Sequence, residues 1–579
     1  MEPMSKKSEM DSIRRKSKIV CTIGRKPESE LKDYINQLIN VGMDVARLNM
    51  SHYDSSLPSD QEYLKKLIYT IRDSAKNSGK TVAIMGDLQG PKVRIKDFIG
   101  AYKGNNKISV VKGNSFFLTS ESDQLIDQSG ATIKYEGHYN FFADIKQNVN
   151  RDDNNKPLPI EFWFADGKVI LEAQLKDITN TSAKCDVIVE GELKQGQGIS
   201  VKNSTIRPHE YQIMNYPKDE KDIDLLLQND VDLFALSFVN NDTDVKNLET
   251  HIQTRATQLG LTNFLQSYCN ISPFPIIAKI ETVHGFLHLD RILKNSYGIM
   301  VARGDLALKT GIQTIGIYQK KIIDKCATEG KTVITATQML LSMMDFKEPR
   351  RSEATDVTNA IFDGTDALML SEETADPTSK FPIEAVQMMS DIAIQTENYL
   401  KQRYKLEYNY KIRQRQAKII ENQETREREL TLLEQMVKDQ GIAYNDFYFN
   451  ERADLQRKEI ADHISYSACE KAFALKCKAI VVLTETGGTA RKISRFKPDS
   501  QILAGVYTEK IARILKLSYG VESFVIKRKD EGYPFEEYKQ VIEIAQERNL
   551  LNKGDRVIFV AGYPRREQGA VTFLNIYKI

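Results

Sequence analysis

Pro275 to Asp305 reads PIIAKIETVHGFLHLDRILKNSYGIMVARGD. An apolar run, Pro275 to Ala278, stops abruptly at Lys279 and Glu281. A helix-like segment follows, and a second apolar run, Gly298 to Ala302, stops at Arg303, Gly304 and Asp305. That is strand, helix, strand. A continuous apolar run suits a strand buried on both faces of a parallel sheet. Charge at its C-terminal end lies where α/β proteins keep their sites. Two carboxylates, Glu281 and Asp305, converge there with the ammonium of Lys279. So small a carboxylate set suits Mg²⁺ (or Mn²⁺), with waters and substrate phosphates completing its shell. The lysine supplies the point charge that a transferring phosphoryl group needs. The plainer alternative is a pair of strands ending in a solvated charged rim.

The same alternation extends in both directions. Lys18 to Gly24 and Val45 to Met50 read as strands separated by a helix over Glu30 to Asn40, and Val82 to Asp87 reads as a third strand that breaks at Gly90-Pro91. After residues 93–207 the pattern resumes, with strands at Phe234, Pro275, Gly298, Thr332 and Ala367. Eight strands, each but the third leading directly into a helical segment, predict a (β/α)₈ barrel spanning 18–92 and 208–395. Residues 93–207, rich in Gly, Asn, Asp and alternating strands such as FWFADGKVIL, predict an inserted β cap domain. A charged helical insertion is expected over 396–460, where Leu430, Leu433, Met436 and Val437 form an apolar stripe. A C-terminal α/β domain is expected over 461–579, and residues 1–17 read as a flexible basic tail.

At 579 residues the chain is too long for one core. No apolar run reaches the roughly 18 residues of a membrane helix. The opening MEPMSKKSEMDSIRRKSK has neither the apolar core of a signal peptide nor the pattern of a transit peptide. A net charge of +2 gives no support for a nucleic-acid role. Six cysteines without a CxxC fit reduced thiols, so the expectation is a cytoplasmic protein.

Polar groups gather at the strand ends: Arg47, Asn49, Ser51 and His52 after the second, Asp87 after the third, Lys279 and Glu281 after the fifth. Asp305 closes the sixth, Thr337 the seventh, and Ser371 with Glu372 the eighth. In a barrel all of these face one mouth. In order and spacing, RLNMSH, DLQGPKVR, KIE, MVARGDL, ATQML and SEETA resemble the signatures of the pyruvate kinase family. The resemblance implies transfer of a phosphoryl group from phosphoenolpyruvate to ADP, giving pyruvate and ATP. It implies that Lys279 stabilises the phosphoryl group, that Glu281 and Asp305 hold the divalent metal, and that the backbone of Ala302, Gly304 and Asp305 holds the substrate carboxylate. Thr337, through a water chain involving Ser371, would serve protonation of the enolate carbon. Arg47 would bind the substrate phosphate, and Asn49, His52 and Arg94 the nucleotide phosphates. A homotetramer is also implied.

Some positions depart from the family pattern. Asn240 ends a segment that often reads SFVR, Glu372 stands where SGETA has glycine, and Gln195-Gly196-Gln197 lacks an expected cap-domain lysine. DLQGPK resembles the branch that dispenses with K⁺. Lys92 falls where other members carry a glutamate near the K⁺ ligands matched by Asn49, Ser51 and Asp87, so Lys92 is expected to replace the ion. Thr484, Thr486, Gly487, Gly488 and Thr489, in TETGGT, resemble the loop for a phosphorylated effector, and a plain turn is the alternative. Tyr563-Pro564-Arg565-Arg566 carries charge suited to a second phosphate. His284 and His288 are four apart, a spacing that a metal or an ordinary helix surface would explain. Two rival readings remain at this stage, a catalytically impaired relative and a metal-dependent aldolase.

Overall fold

The computed structural model describes residues 14–90, 93–120, 129–134, 141–164, 167–204, 217–268, 271, 273–419, 460–528, 535–561 and 573–579. Its centre is a closed barrel of eight parallel strands: β1 (Lys18–Thr22), β2 (Val45–Asn49), β3 (Ala83–Leu88), β4 (Leu233–Leu236), β5 (Ile276–Ile280), β6 (Gly298–Ala302), β7 (Thr332–Ala336) and β8 (Ala367–Leu370). Neighbours in sequence are neighbours in space, and β8 closes the ring on β1. Every described residue of β1, β3, β5, β6, β7 and β8 is buried, which is why these strands read as mainly apolar runs, with Lys18, Asp87 and Lys279 the charged exceptions.

The outer helices follow from amphipathic spacing. In Glu28–Val41, Leu31, Tyr34, Ile35, Leu38 and Ile39 face inward, and Gly42 ends the helix at φ +127°. The last barrel helix runs unbroken from Pro382 to Ile419, 38 residues, so it passes residue 396 without a stop. The Leu430 to Val437 stripe lies outside the described residues.

Between β3 and β4 the chain builds a separate unit with its own core around Phe116, Phe142, Phe162 and Phe164. It has a seven-stranded sheet and a two-stranded ribbon pairing Gly191–Lys194 with Lys107–Val110. One helix, Phe141–Gln147, breaks the all-β expectation for this segment. Its Phe141, Phe142 and Ile145 are buried, and the two adjacent phenylalanines gave no helical period to read.

The C-terminal unit is a five-stranded sheet of β9 (Ala479–Leu483), β10 (Gln501–Val506), β11 (Val521–Val525), β12 (Arg556–Ala561) and β13 (Phe573–Lys578), in the order β11-β10-β9-β12-β13. Only β13 runs antiparallel to its neighbour. This unit meets the barrel at the N-terminal ends of the strands. Lys18 Nζ donates to the Val521 carbonyl at 2.8 Å, Lys497 pairs with Asp366, and Asp232 accepts from Arg513 Nε at 2.7 Å. The opposite mouth, where the strands end, is left to the cap. No helix among the described residues is long and apolar enough to cross a membrane. The five described cysteines are buried and free.

Candidate active site

β2, β3 and β5 bring three charges together at the mouth. Asp87, 1% exposed, accepts Arg47 Nε on Oδ2 at 2.6 Å and Lys279 Nζ on Oδ1 at 3.2 Å. Arg47 Nη1 also donates to Thr22 Oγ1 on β1 at 2.8 Å. Lys279 Nζ donates to Ser237 Oγ at 2.7 Å and lies 3.3 Å from Glu281 Oε1. The second Glu281 oxygen accepts the Phe238 amide at 2.6 Å, which fixes the carboxylate's direction. The parallel register aligns Asn49 with Asp87, and Asp87 with Ala235.

Burial alone would raise the Asp87 pKa, but the Lys279 and Arg47 charges more than reverse it and hold the carboxyl below the usual range. Burial would likewise depress the Lys279 ammonium, but Asp87 and Glu281 outweigh it and raise its pKa. Lys279 is therefore a fixed positive charge at neutral pH rather than a base.

The turn after β7 forms the other wall. Thr337 and Gln338 both have positive φ, +77° and +54°, a conformation that costs about 1–3 kcal/mol per non-glycine residue. Arg303 holds this turn by donating to the Ala336 and Thr337 carbonyls at 3.0 and 2.7 Å, and Asp356 Oδ2 grips the same guanidinium at 2.6 Å. Ala302 ends β6, and Asp305 sits in the first turn of the helix Arg303–Thr310. A Cβ on Gly304 would come within 3.0 Å of Thr337 Cγ2, so the two loops abut.

Ser371 follows β8, and its amide donates to Glu373 Oε2 at 2.7 Å while the Leu340 amide donates to Glu373 Oε1 at 3.1 Å. Glu373 thus ties the β7 and β8 loops together, and burial raises its pKa. Glu372, the residue in the glycine position, has an exposed side chain at the start of the short helix Glu372–Ala375.

The second half of the predicted set faces the cap. His52 sits in the turn Met50–His52, its pKa lowered by burial and by the Arg47 and Arg94 charges. Asn49 Oδ1 accepts the Ser51 amide at 3.3 Å. Arg94 donates to the cap carbonyl of Gly196 at 2.9 Å and to Ser51 Oγ at 3.4 Å, joining the cap to the barrel. Burial would raise the Asp376 pKa, but the Thr378 hydrogen bonds and then the charges of Lys194, at the end of the cap ribbon, and His52 lower it.

Asn240 is buried, donating to the Phe238 carbonyl and accepting Thr282 Oγ1, so it braces the loops around Glu281. Lys92 and Tyr563 to Arg566 lie outside the described residues. The TETGGT loop sits apart from the mouth, on the C-terminal unit; Thr484 Oγ1 accepts the Gly487 amide at 3.0 Å, and Gly487 has φ +79°. The His284 and His288 rings lie 4.4 Å apart, tilted by 37°, with His288 Nδ1 3.0 Å from the His284 carbonyl. Ser237, Arg303 and Glu373 did not figure in the predicted set. Ser237 directly follows β4, so the strand-end rule that found the others would have found it.

Among the described residues no group of three or more His, Cys, Asp or Glu is placed to hold a metal ion. Glu281 just after β5 and Asp305 in the first turn after β6 are the two carboxylates that would hold an ion taking its remaining ligands from water and substrate. The models for pyruvate kinase match this chain twice, the barrel domain over residues 14–386 and the alpha/beta domain over 462–577. A pyruvate kinase of Clostridium perfringens is 33% identical over 97% of this chain and 100% of its own length. One from Thermococcus litoralis is 32% identical over 97% and 98%. A crystal structure of a pyruvate kinase from Cryptosporidium parvum superposes with a TM-score of 0.73 at 28% identity, covering 97% of this chain and 96% of that one. On these matches, and on the eight-stranded barrel with its C-terminal α/β unit, the chain belongs to the pyruvate kinase family, phosphotransferases acting on phosphoenolpyruvate and ADP.

Proposed function

We propose that the barrel mouth bounded by Arg47, Lys279, Glu281, Asp305 and Thr337 is where phosphoenolpyruvate gives its phosphoryl group to ADP. The observation that carries this reading is the buried Arg47–Asp87–Lys279–Glu281 network, which holds two cations on one carboxylate at the strand ends. The bond from phosphorus to the enol oxygen breaks, a bond from phosphorus to an ADP oxygen forms, and the electron pair stays on the enolate.

Arg47 binds the phosphoryl oxygens with its planar fork. Lys279, held fully charged, stabilises the negative charge as it moves. Glu281 and Asp305 would hold Mg²⁺ or Mn²⁺, which would supply positive charge for the transferring phosphoryl group. The amides at Ala302, Gly304 and Asp305 orient the substrate carboxylate. The enolate carbon takes its proton on the Thr337 side, relayed through water from the Ser371 side. Asn49, His52 and Arg94 receive the nucleotide phosphates, with the cap closing above them.

The intact network favours this reading over an impaired relative. K⁺ is not required, Lys92 taking its place, and the loop Thr484 to Thr489 takes a phosphorylated effector. The exposed apolar side chains Leu287, Ile312 and Ile317 support assembly into a homotetramer. The protein works in the cytoplasm. The test is a coupled assay of pyruvate formation with and without Mg²⁺, sugar phosphates and AMP; absence of any ADP-dependent pyruvate would overturn the reading.

A further inference from the structure

Phe238, two residues past β4, takes the left-handed backbone conformation, with φ +56°. That region is unfavourable for a bulky side chain and persists only where neighbours over-determine it. Both peptide groups flanking Phe238 are held. Its amide donates to Glu281 Oε2 at 2.6 Å, and its carbonyl accepts Asn240 Nδ2 at 2.9 Å.

Asn240, 9% exposed, is fixed in turn. Its amide donates to Asp244 Oδ2 at 2.8 Å, and its Oδ1 accepts Thr282 Oγ1 at 2.8 Å. Thr282 follows Glu281 directly and caps the helix Val283–Leu287 by accepting the Gly285 amide at 3.0 Å. A Cβ on Gly285 would stand 2.3 Å from the Val239 carbonyl oxygen, so the loops after β4 and β5 press closely together. One asparagine serves both loops because its side chain offers a donor and an acceptor at once. An ionised aspartate would only accept, and the arginine of SFVR would only donate. Neither could hold Phe238 and Thr282 together.

We propose that Asn240 is a positioning residue for the divalent ion. By pinning the Phe238 carbonyl it keeps the Phe238 amide on Glu281 Oε2, and that bond fixes the direction in which the carboxylate meets the metal. The proposal rests on the reading of Glu281 as a metal ligand, and Asn240 acts on it through Phe238. The carboxylate has another cation within reach, since Oε1 lies 3.3 Å from Lys279 Nζ. Released from the Phe238 amide, it turns further toward that ammonium, and the ion then competes with a fixed charge. Partners that orient a metal ligand typically contribute about 10- to 100-fold in metal affinity.

The test is Mn²⁺ binding to the substrate-free full chain, read from the electron paramagnetic resonance of free Mn²⁺. Asn240→Leu removes the donor and should raise the Kd by about tenfold or more, with the activity lost at low Mn²⁺ returning as Mn²⁺ is raised. Asn240→Ala gives the same comparison where leucine disturbs folding, which the melting temperature of each variant reports. Adding Phe238→Gly to Asn240→Leu should recover about threefold or more of the affinity, because glycine enters the left-handed region without strain and needs no pin. A purely structural role for Asn240 predicts no such recovery. Glu281→Gln is the reference and should bind Mn²⁺ far more weakly than wild type. If it does, while Asn240→Leu and Asn240→Ala both bind within about twofold of wild type, Asn240 does not position the ligand. Failure of Phe238→Gly to recover affinity would likewise overturn the proposal. If Glu281→Gln itself binds Mn²⁺ as wild type does, the metal assignment falls and this proposal falls with it.

Discussion

Arg303 holds Thr337 by its backbone: Nη2 donates to the Thr337 carbonyl at 2.7 Å while Nε donates to that of Ala336 at 3.0 Å. Asp356 fixes the guanidinium from behind, with Oδ1 at 2.8 Å and Oδ2 at 2.6 Å. Two consecutive left-handed residues survive only where neighbours over-determine them. Arg303→Lys keeps the charge but cannot reach both carbonyls at once. We expect kcat to fall by about tenfold or more with the KM for phosphoenolpyruvate nearly unchanged, since an ångström of misplacement is enough for that. Exchange of the pyruvate methyl protons with solvent isolates the proton step at Thr337. If that exchange keeps its wild-type rate in the variant, Arg303 does not position Thr337.

Lys279→Met should remove phosphoryl transfer while sparing substrate binding. Loss of one group that acts mainly on transition-state charge typically costs about 10²–10³ in kcat. The variant also releases Asp87 from one of its two cations, so its melting temperature must be measured alongside. A kcat within about threefold of wild type would take Lys279 out of the mechanism.

Replacing Glu281 or Asp305 by alanine should weaken metal dependence and activity together. On the proposed assignment of two carboxylates as its protein ligands, Mg²⁺ would have little to fall back on. Activity titrated against Mg²⁺ and Mn²⁺ for each variant checks this. Half-saturation at the wild-type concentration would place the ion elsewhere.

The barrel was legible because the strands are mainly apolar runs with polar or charged residues gathered at their ends, as in Ile276–Ile280, where Lys279 is followed by Glu281. Strand ends then collected Arg47, Lys279 and Asp305 without any knowledge of contacts. The pairings themselves were not legible. Asp87 meets Lys279 across 192 residues of sequence, and only closure and register decide that it meets Arg47 as well. Glu373 drew no notice because its role is to accept two amides from different loops. The boundary placed at residue 396 failed to appear as a break because a change in charge does not stop a helix. No proline or glycine interrupts the helix before Ile419.

The joint between barrel and C-terminal unit should be acid-sensitive. Asp232, fully buried, accepts Arg72 at 2.8 Å, Arg513 at 2.7 Å and the Ile84 amide at 2.8 Å. Burial opposes its ionised form, but the Arg72, Lys510 and Arg513 charges outweigh it and hold the pKa far below the ordinary value. A carboxyl depressed in the folded state contributes stability above its unfolded pKa of about 3.9 and loses it as pH falls toward the folded value. Asp232→Asn should therefore cost about 3–5 kcal/mol at neutral pH, the usual result of stranding buried cations. The deficit should shrink below about pH 4, where the unfolded wild-type chain takes up the proton that the folded carboxyl refuses. Urea unfolding at pH 7 and pH 3 measures both, and a deficit independent of pH would mean that packing rather than charge is at stake.

The last expectation concerns a monovalent cation. Both oxygens of Asp87 are already engaged, Oδ2 by Arg47 and Oδ1 by Lys279. A K⁺ sharing that carboxylate would be a third positive charge in a network that already pairs Arg47 and Lys279 with Asp87 and Glu281. Lys92, five residues after Asp87 in DLQGPK, would add a fourth, and its ammonium is a compact monovalent cation on a long stem. Two such cations about 4 Å apart at an effective dielectric near 20 repel by on the order of 4 kcal/mol. On the proposed reading the lysine and the ion are alternatives. Turnover with tetramethylammonium as the sole monovalent cation should stay near its full value, and Lys92→Glu should create a K⁺ requirement by reversing the charge at that point. A wild-type enzyme that loses most of its activity without K⁺ would show that Lys92 does not stand in for the ion.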